Sequence, residues 1–249
     1  MKIMEKKNIY LGISVVLIVI SILSLGIKNF NYGIDFTGGN IVQLKFEINE
    51  LDKTNILAEL EKDYSKFEIQ KSDKIGSTIG KELKWKAINS LLIASLLIVF
   101  YITIRFEFKF ALAAIIALLH DVIITLGVIS LMGAEINSPF IAAVLTILGY
   151  SINDTIVVFD RIRENLKKTP SKSLGLVIDN SITQVFRRSI NTSVTTLLAI
   201  AAILIFGGAS IRTFITALLI GVLAGTYSSI FVASPVVDIL EKGEKVTLK

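Results

Sequence analysis

Six long runs of apolar residues constrain this chain more than any other feature of its sequence. A bilayer core roughly 30 Å thick requires about 20 apolar helical residues per crossing. The mean hydropathy of +0.69, with only 19% charged residues, is typical of membrane proteins. We therefore predict an α-helical polytopic membrane protein with six transmembrane helices. The runs are Ile9–Ile27, Trp85–Ile104, Phe110–Met132, Pro139–Phe159, Thr192–Phe206 and Phe214–Ile239.

The residue composition excludes several classes of site. The 249 residues include no Cys and a single His, His120. Disulfides, thiolate metal sites, cysteine nucleophiles and histidine-rich metal sites are therefore excluded. No phosphate-binding loop of the G-x-x-x-x-G-K-[ST] type occurs. We expect neither an enzyme nor a bound metal or cofactor.

Lys and Arg residues are concentrated in alternate loops between the apolar runs. The loops around Gly133–Ser138 and Gly207–Ser210 contain none. Basic residues in short loops favour the cytoplasmic side, so both termini are predicted to be cytoplasmic. The net charge of +5 is then surface charge facing anionic lipid, not a nucleic-acid site. The basic segments contain Lys2, Lys6 and Lys7; Arg105 and Lys109; Arg161, Arg163, Lys167, Lys168, Lys172, Arg187 and Arg188; and Lys242, Lys245 and Lys249.

The segment between the first two runs is long enough for a small extracytoplasmic α/β domain. Ile41–Glu47 alternates apolar and polar residues and predicts a strand, and Phe67–Gln70 predicts a second. Asp52 is a suitable N-cap for an amphipathic helix between them. The predicted organisation is the N-terminus and first helix at 1–27, this domain at 28–84, the other five helices at 85–241, and a cytoplasmic tail at 242–249.

An amphipathic segment near 171–190 precedes the fifth run. Leu174, Val177, Ile178 and Ile182 recur at helical spacing with polar residues between them. We predict a helix that runs along the cytoplasmic interface and leads into the fifth membrane helix.

Asp154 is an ionisable residue within an apolar run, where charge is costly and a functional role is the default hypothesis. Thr146, Tyr150 and Asn153 lie on the same stripe of the fourth helix. Such a stripe must face other helices or a water-filled path. Burial favours the neutral form of a carboxyl group, so Asp154 is a candidate proton carrier with Asn153 beside it. The alternative is a structural carboxylate in a permanent hydrogen-bonded network.

Asp121 is a second carboxylate, near the middle of the third run. Ala114 and Ala117 share its face, so another helix can approach closely. It is either a second proton-relay group or a structural partner for the fourth or fifth helix. His120 lies about 100° around the helix from Asp121, and we expect it to hydrogen-bond across to another helix.

Arg188 lies at the start of the fifth run, and Thr192 and Thr195 continue its face. Pairing with Asp154 would favour the charged carboxylate, and separating the pair would favour its protonation. This pair would link helix movement to proton uptake. The alternative is an Arg that anchors the helix at the interface.

Three motifs occur in order on this six-helix plan. They read YGIDFTGG at Tyr32–Gly39, GYSINDTIVVFDRIREN at Gly149–Asn165 and RSINTSVTT at Arg188–Thr196. Together with GKEL at Gly80–Leu83 and HDVIITL at His120–Leu126, they resemble the SecD/SecF family of protein-export membrane proteins. This family belongs to the resistance-nodulation-division superfamily.

The resemblance implies an accessory subunit of the Sec preprotein translocase in the plasma membrane. It implies use of the proton-motive force, together with SecD, to complete export of unfolded proteins. The implied partners are SecD, the SecY translocon, secretory preproteins, protons and membrane lipid. The family's helix-four Asp and helix-five Arg correspond to Asp154 and Arg188, and its glycine turn corresponds to Gly38 and Gly39, where paired glycines permit a tight turn.

Two other functions stay open. A proton-coupled small-molecule exporter of the same superfamily usually has two related halves, and this chain has one. A passive translocon scaffold would not require an intramembrane Asp and Arg. An intramembrane aspartyl protease is disfavoured, because LHDV and INDT differ from the YD and GxGD patterns of that class. The six-helix length implies that SecD is a separate chain, and the short outside domain makes SecD the expected substrate-gripping element.

Overall fold

The computed structural model describes residues 2–46, 67–169 and 173–241. The chain divides into two compact units, one of Met1–Asn31 with Ala87–Lys249 and one of Tyr32–Lys86. Six helices in the described part of the chain are long and apolar enough to cross a membrane. The prediction of a six-helix membrane protein is confirmed.

The described elements are mainly helices, and the two longer strands lie between α2 and α3. A 3₁₀ turn at Met4–Lys6 leads into the first helix, and another at Ala209–Ile211 precedes the last span. The helices are α1 (Lys7–Lys28), α2 (Ile34–Thr37), α3 (Ser77–Arg105), α4 (Phe108–Leu131), α5 (Ser138–Lys168), α6 (Leu174–Phe206), α7 (Arg212–Ser228) and α8 (Ser234–Leu240). The strands are β1 (Asn31–Tyr32), β2 (Gly39–Phe46), β3 (Phe67–Ile75) and β4 (Glu135–Ile136).

Several helices extend well beyond the apolar runs. Helix α3 begins at Ser77, eight residues before the predicted Trp85, and α5 continues to Lys168 instead of ending near Phe159. Hydropathy marks only the part of a helix that lies in lipid. The backbone hydrogen bonds of a helix continue equally well into polar surroundings.

The amphipathic segment before the fifth run is the first part of α6. This helix has 33 residues, about 50 Å at 1.5 Å per residue, which exceeds the roughly 30 Å of a bilayer core. Leu174, Val177, Ile178 and Ile182 are all buried. Their apolar face packs against protein, so burial within the bundle accounts for the periodicity.

The sixth span is one helical path with a local change of winding. Helix α7 passes into a π-turn at Ser229–Ala233, and α8 follows directly. A π-turn adds one residue to a helical turn and is frequent at functional sites. This one lies beside both intramembrane aspartates, as described below.

Small residues let the helices of the membrane unit approach closely. A Cβ added at Gly127 of α4 would lie 2.2 Å from the Ser21 Cβ of α1. A Cβ at Gly221 of α7 would lie 2.3 Å from the Ile147 Cδ1 of α5. Helices α4 and α7 are the most enclosed, whereas the apolar side chains of α3 are mostly exposed and suited to lipid.

The end of the bundle that carries the N-terminus is tied together by polar contacts. The backbone N–H groups of Ile3 and Met4 donate to the Asp179 carboxylate of α6 at 2.8 and 3.0 Å. Lys7 of α1 pairs with Asp238 of α8 at 2.6 Å. These contacts hold the first, fifth and sixth spans together at this end.

The smaller unit contains an antiparallel pair, β2 and β3, with Gly39 opposite Ile75 and Phe46 opposite Phe67. Both strands were predicted, although β3 is longer than expected. The helix predicted after Asp52 and the tail at 242–249 lie outside the described residues. Before β2, Gly38 and Gly39 have φ values of 74° and 142°, a region that favours glycine. A Cβ at Gly80 would lie 3.0 Å from the Gly38 backbone nitrogen, so the turn packs closely on α3.

Candidate functional site

Asp154 lies in the middle of α5 and is bound by two serine hydroxyls from other helices. Ser189 of α6 donates to its Oδ1 at 2.7 Å, and Ser229 of the π-turn donates to its Oδ2 at 2.7 Å. The Asp154 side chain is half-buried. Each of its two carboxylate oxygens accepts one hydroxyl hydrogen bond, and part of the side chain stays exposed on the membrane unit.

Asp121 of α4 is fully enclosed, with 0% exposure. Its Oδ2 accepts bonds from Ser151 of α5 and Ser228 of α7, the latter at 2.7 Å. Its Oδ1 lies 2.9 Å from the His120 Nδ1. The two carboxylates therefore have the same arrangement: each accepts hydroxyl bonds from two other segments of the bundle.

His120 differs from the sequence expectation. We expected it to hydrogen-bond across to another helix, and this is wrong, because its Nδ1 bonds the adjacent Asp121 on the same helix. The side chains of neighbouring residues diverge at their Cβ atoms, but rotation about χ1 and χ2 brings the ring back to the carboxylate. Across the helix interface the ring instead stacks on Tyr227, with centroids 6.1 Å apart.

Arg188 and Asn153 lie outside this hydrogen-bonded centre. Both side chains are exposed on the membrane unit. Within the described residues, the Arg188 guanidinium forms no ion pair or hydrogen bond, and Asp154 is bound by serines alone. The structure thus places Asp154 and Asp121 in the interior of the bundle and places Arg188 and Asn153 on its surface.

The exposed surface around Arg188 is polar, although it lies within membrane-spanning helices. Asn191, Thr192 and Thr195 of α6 are exposed, and so is Asn153 of α5. We call these four residues, together with Arg188, the polar face. A polar face turned to lipid is costly, so it indicates a membrane partner or a water-filled path.

Sequence reasoning did not find the serines that bind the carboxylates. Ser189, Ser228 and Ser229 occur among many small residues, and nothing in their spacing shows which of them meets an Asp on another helix. The one available signal was that Ser151 lies one turn before Asp154 on the same stripe. Among the described residues, no group of three or more His, Asp or Glu side chains could hold a metal ion.

Comparison with known proteins places this site in a family. Residues 55–243 match the family described as "Protein export membrane protein SecD/SecF, C-terminal", and residues 23–47 match the "SecD/SecF GG Motif". The second match includes Gly38 and Gly39.

Two curated relatives are similar over nearly their whole length. The protein translocase subunit SecF of Sebaldella termitidis is 45% identical, over 98% of this chain and 93% of its own. The protein translocase subunit SecF of Calditerrivibrio nitroreducens is 38% identical, over 96% of this chain and 94% of its own.

Two solved structures have the same fold. The crystal structure of SecDF from Thermus thermophilus, described as a translocon-associated membrane protein, gives a TM-score of 0.84 at 33% identity. A second crystal structure, of SecDF in a super-membrane-facing form, gives a TM-score of 0.82 at 33% identity. Both matches cover 97% of this chain but only 39% of the SecDF chain. The family match, the full-length relatives and the shared fold agree: this chain belongs to the SecD/SecF family of protein-export membrane proteins.

Proposed function

We propose that this chain is an accessory subunit of the Sec preprotein translocase and uses the proton-motive force to help complete export across the plasma membrane. The observation that carries the proposal is Asp154. This carboxylate lies within a membrane span, is half-buried, and is bound by hydroxyls from two other segments. An ionisable residue at such a position is suited to bind and release protons.

A separate SecD chain is the proposed partner. The solved relatives are SecDF chains, of which this chain spans 39%, so most of each of those chains lies outside the part that matches. The polar face of α5 and α6 supports such a partner, because Arg188 and its polar neighbours need a polar surface against them within the bilayer. A carboxylate on the partner would complete the charge balance of Arg188.

The proposed mechanism couples protonation to helix movement. A proton from the outside neutralises Asp154 and weakens the hydrogen bonds that it accepts from Ser189 of α6 and Ser229 of the π-turn. The helices then shift, the outside domains move, and release of the proton to the cytoplasm restores the first state. One charge crossing about 100 mV supplies about 2.3 kcal/mol, which suits repeated small steps. This scheme has the termini in the cytoplasm and uses SecY and secretory preproteins as further partners.

The test is completion of precursor translocation in sealed vesicles that contain the chain, SecD and the translocon. After ATP is exhausted, the rate is measured with and without an imposed proton gradient. Wild type is compared with Asp154→Asn and with a matched control, Asp160→Asn. Asp160 lies on the same helix, but it is 42% exposed and pairs with Arg105, and exposed pairs contribute little.

We expect the gradient to accelerate wild type and Asp160→Asn but not Asp154→Asn. An equal response in all three would make Asp154 structural and would favour the passive scaffold. The exporter alternative is tested separately: it predicts that the chain does not co-purify with SecD and SecY.

A further inference from the structure

Two consecutive serines, the last residue of α7 and the first of the π-turn, each contact a different carboxylate. Ser228 donates to Asp121 and Ser229 donates to Asp154, both at 2.7 Å. Both serines are 0% exposed. Consecutive helical residues point about 100° apart. The first serine therefore reaches the carboxylate on α4, and the second reaches the carboxylate on α5.

Each of these two hydroxyls also has a second acceptor within reach. The Ser229 Oγ lies 3.2 Å from the Thr226 carbonyl oxygen, and the Ser228 Oγ lies 3.3 Å from the Gly225 carbonyl oxygen. A hydroxyl has one hydrogen and can donate to only one acceptor at a time. By contrast, Ser189 and Ser151 have no second acceptor among the described residues, and each bonds its carboxylate alone.

This geometry satisfies the carboxyl group in both of its charge states. When Asp154 is charged, Ser229 donates to it. When a proton adds to Oδ2, the new carboxyl O–H needs an acceptor, and the Ser229 hydroxyl can turn its hydrogen to the Thr226 carbonyl and accept with its oxygen. The only covalent bond that forms is the carboxyl O–H bond, and Ser229 keeps its own hydrogen throughout. In a dry interior, a polar hydrogen without an acceptor costs about 1–3 kcal/mol.

Among the residues that the structure describes, neither carboxylate forms an ion pair with a Lys or Arg side chain. Asp121 faces His120 on its own helix, Ser151 from α5 and Ser228 from α7. Asp154 faces Ser189 from α6 and Ser229 from the π-turn. Within the described residues, no Lys or Arg pairs with either group, so hydroxyl orientation is the main local adjustment available to both.

We propose that Ser228 and Ser229 are positioning residues that let Asp121 and Asp154 exchange between charged and protonated states. The proposal rests on the proton-coupled function above and extends it to a second carboxylate, with the two serines side by side where α7 passes into the π-turn. A hydroxyl at each serine position is then required for proton exchange as well as for packing.

The test is infrared difference spectroscopy of the carboxyl band in lipid vesicles that contain the full chain with SecD, recorded between high and low pH. Asp154→Asn and Asp121→Asn identify the band of each residue. Ser229→Ala removes the hydroxyl, and Ser229→Thr retains it. The matched control is Ser193→Ala, because Ser193 is 3% exposed and bonds Thr226 rather than a carboxylate.

We expect the protonated Asp154 band to move to higher wavenumber in Ser229→Ala, to return towards its original position in Ser229→Thr, and to stay unchanged in Ser193→Ala. Ser228→Ala should move the Asp121 band instead. Gradient-dependent translocation should fall about tenfold or more in Ser229→Ala, the effect of one hydrogen bond lost to a charged group.

Two results would overturn the proposal, and they differ in meaning. An Asp154 band at the same position in Ser229→Ala and wild type would show that the hydroxyl does not bind the protonated carboxyl, while the proposed function would stand. If Asp154→Asn removed no carboxyl band at all, Asp154 would not take up a proton, and the proposed function and this inference would both fail.

Discussion

At the scale of single residues, Arg188 has no counter-charge among the residues that the structure describes. Its guanidinium is exposed and forms no ion pair within the described residues, yet it lies on a helix that spans the membrane. A cation there is costly unless a carboxylate, a lipid phosphate or water is close by. Arg188 is therefore the residue most dependent on what surrounds the bundle.

We predict that Arg188→Gln lowers the gradient-dependent rate of translocation at least tenfold and weakens co-purification with SecD. The physical reason is the loss of a charge that a partner carboxylate pairs within the bilayer, where such pairs contribute more than at a surface. Arg187→Gln is the matched control, because Arg187 is the adjacent exposed residue of the same type. Equal behaviour of the two variants would make Arg188 an ordinary interfacial anchor.

At the scale of elements, the close contact between α1 and α4 depends on one glycine. A Cβ at Gly127 would lie 2.2 Å from the Ser21 Cβ and 2.5 Å from its Cα, and a backbone atom cannot move aside cheaply. The two helices would have to separate. Gly12 in α1 has nothing within 4 Å of an added Cβ, which makes it a matched control.

We predict that Gly127→Ala destabilises the chain by about 1–3 kcal/mol, as overpacking does, whereas Gly12→Ala is neutral or stabilising by up to about 1 kcal/mol. Thermal unfolding of the purified protein in detergent measures both. A Gly127→Ala variant as stable as Gly12→Ala would mean that the α1–α4 contact adds little to the stability of the bundle.

The position of the π-turn could not be predicted from the sequence. Helix α7, the turn and α8 together form one apolar run in the sequence, and nothing in that run marks Ser229–Ala233 as different. Winding depends on which hydrogen bonds the packed bundle permits, and the Ser234 hydroxyl donates at 3.3 Å to the Ser229 carbonyl oxygen across this turn. The turn is therefore a property of the packed bundle.

At the scale of the whole molecule, the proposed orientation in the bilayer rests on the distribution of basic residues. The chain contains no Cys, so single cysteines can be introduced without changing any native thiol. Ser210 lies in the 3₁₀ turn before α7, and Lys167 lies near the end of α5. Both are exposed, and the charge pattern assigns them to opposite sides of the bilayer.

We predict that a membrane-impermeant maleimide labels Ser210→Cys and does not label Lys167→Cys when it is added to spheroplasts with a sealed plasma membrane. After the membrane is opened, both should react. Labelling of Lys167→Cys in the sealed preparation would reverse the proposed orientation, and with it the direction of proton entry at Asp154.

The number of spans and the candidate carboxylates could be predicted from the sequence. An apolar run has to cross the bilayer as a helix, because backbone groups cannot stay unpaired in lipid. Asp154 and Asp121 stand out for the same reason, since charge inside such a run is rare. These arguments are local and need no knowledge of how the helices pack.

The partners of those carboxylates were decided only by the tertiary structure. The contacts of Ser189 and Ser229 with Asp154 join positions 35 and 75 residues apart, and no local pattern encodes such a distance. The same holds for Arg188, for which the sequence left open a pair with Asp154 or an anchor at the interface: its guanidinium is exposed, and the described partners of Asp154 are serines. Residue type shows which side chains are costly inside a membrane. The packing of four separate spans decides which hydroxyls stabilise the two carboxylates.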